Sequence, residues 1–144
     1  MQPLYLYYYR NMNPPLDDTP YINNLIRELI EDEKRIIESF EYLSHHELNI
    51  ENEKIYKDMI NDSKDHIRIL KVIYTNINNK LYEDDSDDKD VITNLKDIVL
   101  LNVVMSKKYR KILYSLKSDV HRFMLNDIII DNTNNSILLN MLMK

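Results

Sequence analysis

Residues 22–43, INNLIRELIEDEKRIIESFEYL, decide the fold. Ile22, Ile26, Leu29, Glu33, Ile36, Phe40 and Leu43 recur at alternating steps of four and three, which places them on one face of an α-helix. Thr19 and Pro20 just ahead supply a cap and a first helical residue. The rhythm returns three times. Tyr56, Met59, Ser63, His66, Leu70, Ile73 and Ile77 form a second stripe. Val91, Leu95, Ile98, Asn102, Met105, Tyr109, Ile112 and Leu116 form a third. His121, Leu125, Ile128, Asn132, Asn135, Leu139 and Leu142 form a fourth. The spacing predicts helices over 20–43, 52–79, 90–117 and 119–143. Four stripes that need a common core predict an all-α four-helix bundle over residues 19–144.

Composition narrows the function. The chain has 144 residues and a formal charge of −5. Glu83, Asp84, Asp85, Asp87, Asp88, Lys89 and Asp90 account for that excess, so the rest is neutral and no broadly basic nucleic-acid surface is expected. Cysteine and glycine are absent. Without cysteine there is no thiolate metal site, disulfide or cysteine nucleophile. Without glycine there is no P-loop, dinucleotide fingerprint or nucleophile elbow. Neither a signal peptide nor an apolar run near membrane length stands in the sequence, so a cytoplasmic protein without a membrane span is expected. All four prolines and four of the eleven tyrosines lie within residues 1–20. Residues 1–18 read as an extended arm in which Tyr5, Tyr7, Tyr8 and Tyr9 supply amphipathic surface of a kind enriched at interfaces.

Each stripe turns polar near its middle. Glu33, then Ser63 and His66, then Asn102, then Asn132 and Asn135 fall at similar depth, two of the sets as i,i+3 pairs. Side chains at i and i+3 share a helix face and can reach one ion. A carboxylate-bridged di-metal site has this frame: a Glu from each of two helices and a Glu-x-x-His from each of the others. With LIEDEKRIIESFEYL, NDSKDHIRILKVIY, KKYRKIL and DIIIDNTNNSILLNML on the four helices, the chain resembles the ferritin-like superfamily, most closely rubrerythrin-type domains.

That resemblance implies a pair of iron or manganese ions reacting with dioxygen or peroxide. Position by position, Glu33 and His66 match two ligands. Ser63, Asn102, Asn132 and Asn135 stand where ligands are lost. Two divalent ions bring four positive charges, and one matched carboxylate remains to offset them. The expectation is therefore a non-catalytic structural or interaction protein with a degenerate di-iron site and no cofactor. The alternative is an oxidoreductase or metal-binding protein holding a single Fe, Mn or Zn ion on Glu33 and His66, helped by Asp62 or Asp131. Those two aspartates lie about 100° around the helix from the seam, so a local helix distortion is expected before either reaches the centre.

The family fold also needs a long crossover between helices two and three. The predicted ten-residue link spans at most roughly 35 Å, so a simple up-down-up-down bundle is the alternative. A tyrosine-rich arm ahead of such a bundle is similar to those of small proteins of spore-forming bacteria, which implies a spore-coat setting. The expected partner is another protein or a second copy. Lys107, Lys108, Arg110, Lys111 and Lys117 read as a solvated face, with an anion-binding adaptor as a third class. His45 and His46 read as surface residues.

Overall fold

The computed structural model describes residues 19–85 and 90–143. They form four α-helices: α1 (Thr19–His46), α2 (Ile50–Asn78), α3 (Leu95–Ser115) and α4 (Asp119–Leu142). No strand occurs among the described residues. The arm carrying Tyr5, Tyr7, Tyr8 and Tyr9 lies outside them, as do residues 86–89 of the acidic loop.

The helix ends follow local chemistry. Asn49 caps α2 by accepting from the N–H groups of Glu51 and Asn52 at 2.9 and 3.3 Å. Asn94 caps α3 through the Asp97 N–H, and Ser118 caps α4 through that of His121. Asn79 ends α2 in the left-handed region at φ 54°. In a chain without glycine, asparagine is the residue that takes this conformation most cheaply.

The predicted seams are the core. Ile22, Ile26, Leu29, Ile36 and Phe40 of α1 are buried with Tyr56, Met59, Leu70 and Ile73 of α2. Ile98, Met105, Tyr109 and Ile112 of α3 and Leu125, Ile128 and Leu139 of α4 complete it. Each such aliphatic or aromatic side chain contributes about 1.5–3 kcal/mol when fully withdrawn from water.

Helix α1 runs past its expected end at residue 43 to His46, α2 begins at Ile50 and not at residue 52, and the largest difference is at the start of α3. Helix α3 starts at Leu95, not at residue 90, and Val91 is exposed while Ile92 is buried. The reason is tertiary. The Ile92 N–H donates to Ser39 Oγ at 2.9 Å, and Arg35 Nε donates to the Asp90 carbonyl at 2.8 Å. These bonds hold residues 90–92 against α1 in a non-helical path.

The longer link crosses over. Asn23 on α1 bonds Asn78 on α2, so these helices are antiparallel. From there the chain returns along α1: Asp84 pairs with Lys34 and Lys71, Asp90 meets Arg35, and Ile92 meets Ser39. Tyr82 fastens the start of the link, with the Arg27 guanidinium 5.2 Å from its ring centroid and Tyr74 edge-on at 5.1 Å. Helix α3 therefore begins where α1 ends. It runs antiparallel to α1, with Lys108 on Asp32 and Tyr109 on Glu33, and parallel to α2. Helix α4 is antiparallel to α2, as Asp62–Asn135, His66–Asp131 and Asn76–His121 require. Each helix packs on two neighbours, with α1 diagonal to α4 and α2 diagonal to α3. An up-down-up-down bundle does not fit these pairings.

Candidate functional site

The polar layer lies midway along the bundle. Glu33 and His66 are each 1% exposed, and Ser63, Asn102 and Asn132 are buried with them. Heptad spacing puts all five on the inner face, so each arrives with the apolar residues of its own seam.

His66 organises the layer. Its Nδ1 lies 3.4 Å from both Glu33 carboxylate oxygens and donates to Oε1. Its Nε2 lies 2.9 Å from Asp131 Oδ2. A ring that donates from both nitrogens is an imidazolium. Burial alone favours the neutral ring, but the hydrogen bonds and negative charges of Glu33 and Asp131 outweigh it and hold His66 up to about 9. Tyr109 on α3 donates its hydroxyl to Glu33 Oε1 at 3.1 Å, and burial beside that carboxylate pushes the phenol well above its usual range. Three of the four helices thus meet at Glu33 and His66, and Asp131 brings in the fourth.

The structure places the predicted residues unequally. Glu33 and His66 meet directly. Asn135 turns aside from the centre and donates to Asp62 at 3.2 Å, in the groove between α2 and α4. Burial raises the Asp62 carboxyl, partly offset by the Asn135 hydrogen bond, and nearby Asp131 raises it further. Glu33 Oε2 and Asn132 Nδ2 are buried without a hydrogen-bond partner.

Asp131 corrects the sequence expectation. It reaches His66 from a continuous helix, without distortion. A residue 100° from the seam flanks the groove shared with the neighbouring helix, and a side chain there can cross it. Asp131 is 46% exposed, so the chain of charges runs from a sealed interior carboxylate to one at the rim. The signal available in the sequence was an acid at a flanking position one residue before seam residue Asn132.

These residues do not fit a di-metal centre. Both nitrogens of the one histidine in the layer are turned to carboxylates. The remaining seam positions are neutral amides and a hydroxyl. Among the described residues, no group of three His, Cys, Asp or Glu side chains is arranged to hold one ion.

Elsewhere, His46 bonds the Tyr42 carbonyl at 2.8 Å with its ring tilted against the Tyr42 ring, while His45 is exposed. Lys108 turns inward to Asp32, away from the exposed Lys107, Arg110 and Lys111. No helix among the described residues is long and apolar enough to cross a membrane. The chain matches no known protein family, curated protein or solved structure.

Proposed function

We propose that this protein is a ferritin-like bundle that has exchanged its metal centre for a charged hydrogen-bond chain, and that it acts as a non-catalytic structural or interaction module. The observation that carries the reading is His66 held between Glu33 and Asp131. A cation is what a buried carboxylate at Glu33 requires, and the imidazolium supplies it where a metal ion would otherwise stand. The crossover topology and the shared depth of the six seam positions support the ferritin-like part. The arm tyrosines Tyr5, Tyr7, Tyr8 and Tyr9 supply interaction surface in this reading, with the spore coat as a setting beside the cytoplasm.

The rival reading keeps a single Fe, Mn or Zn ion. The direct approach of His66 Nδ1 to Glu33 supports it, with Asp131 on the opposite ring nitrogen orienting the imidazole. It requires His66 to give up its proton and one carboxylate partner to the ion.

Metal content separates them. The purified chain is incubated anaerobically with Fe(II), Mn(II) or Zn(II), desalted and measured by elemental analysis beside a Glu33→Ala, His66→Ala variant. The expected result is no metal above that control. One ion per chain, lost in the variant, would overturn the metal-free reading in favour of a reduced site, and two ions would restore the di-metal centre.

A further inference from the structure

Helix α4 carries a second seam. Phe123, Asp127, Ile130, Asn134, Ile137 and Met141 follow steps of four and three, as the inner seam does, but on the opposite face. Phe123 is 71% exposed, and Ile130, Ile137 and Met141 are exposed by half or more. Inside the bundle α4 buries only Leu125, Ile128, Asn132 and Leu139, so it shows water more large apolar side chains than it hides. The outward side of α2 is different in kind, with Lys54, Lys57, Lys64 and Arg68 in exposed positions.

We infer that this outer stripe of α4 is a self-association surface and that its occupant is α4 of a second copy of the chain. Three features select that occupant. A repeat averaging 3.5 residues is the seam of a coiled coil, and it is complemented by a seam of the same period. The stripe itself offers one. Val120, also on α4, is exposed beside it, and together these side chains present roughly 600 Å². That stands at the upper end of the largest apolar patch of an ordinary monomer and supplies most of one partner's share of a standard interface, roughly 800 Å².

Charge then fixes the direction. Parallel pairing would set Asp127 against its own copy. Antiparallel pairing about a twofold near Asn132 separates the two Asp127 residues by about 15 Å along the axis. It also sets Phe123 against Met141 and Ile130 against Asn134. The inference deepens the reading of the chain as an interaction module and names the partner.

Sedimentation equilibrium of the full chain at micromolar concentration tests it. The expected mass is twice the 17.4 kDa of one chain. An Ile130→Lys, Ile137→Lys variant is expected at the single-chain mass with its far-UV helical signal unchanged, because both side chains are exposed. A wild-type chain at single mass, or a variant that stays paired, would overturn the inference.

Orientation is tested in the same cysteine-free chain. An equimolar mixture of Ile130→Cys and Asn134→Cys is expected to form a disulfide at least tenfold faster than either variant alone. Equal rates would overturn the antiparallel arrangement. A single-mass result here leaves the metal-free reading standing, since that reading is decided by metal content.

Discussion

The two hairpins of this bundle spend their apolar residues differently. Of α1, nine residues are buried, and its outward side is strapped by the link through Tyr82, Asp84 and Asp90. Helix α4 buries four, and its outward side carries Phe123, Ile130, Ile137 and Met141. Both helices have a heptad seam, so periodicity alone makes them look equivalent. A helix with one stripe has completed its burial inside the chain. A helix with two stripes has completed half of it. The α1–α2 hairpin is thus the anchored half and α3–α4 the open half, and the charge chain through His66 joins them.

The joint is the place to break this comparison with the largest effect. Replacing His66 with Leu strands Glu33 in the core without its cation and removes the bond to Asp131. A loss of about 3–5 kcal/mol is expected in urea denaturation. A variant that melts like the parent would remove the joint from the picture.

The same joint should titrate. His66 is raised in the folded chain from 6.5 to about 9. Its stabilisation is therefore fully present below pH 6.5 and is lost as the pH rises through 9. The urea midpoint should fall across that window, and the fall should vanish in His66→Leu.

Asp131 sharpens the comparison at smaller scale. It is half exposed and screened by water, so Asp131→Asn should cost about 1 kcal/mol or less. It should also move the pH window downward, because one of the two carboxylates that favour the imidazolium is gone.

The smallest effect belongs to the outer faces. Lys64→Gln on α2 should shift stability by no more than about 0.5 kcal/mol, as surface changes do. Asn79→Gly, at the left-handed end of α2, should stay within about 1 kcal/mol. Thermal denaturation of each variant beside the parent measures both.

Much of this was legible in the sequence, for identifiable reasons. The four seams follow from helical periodicity, which is a local property, and the middle of each lies buried where the steps of four and three put it, while some end positions, such as Val91, do not. Glu33 and His66 were legible for the same reason. The start of α3 was not, because it is set by Ser39 and Arg35, more than fifty residues away. Once that start moves, the link lengthens and the crossover becomes possible. Asp131 was legible as a helper, but the distortion expected for it is not needed, because a flanking position already faces the neighbouring helix. The outer stripe of α4 escaped because its six members include Asp127 and Asn134, which dilute it to the eye, and because one apolar face per helix already satisfied the fold.

The crossover has a consequence for the order of folding. Within each hairpin the contacts are local in sequence, and such contacts form early. The polar layer divides: His66 meets Glu33 within the α1–α2 hairpin, whereas Tyr109 and Glu33 stand 76 positions apart and His66 and Asp131 stand 65 apart. The two long-range bonds can form only when the hairpins dock, which is expected late in folding. In a stopped-flow chevron, Tyr109→Phe and Asp131→Asn should therefore act mainly on the unfolding limb, with φ-values near zero. The pair is then a latch: it does little to hasten the closing of the bundle and more to delay its opening.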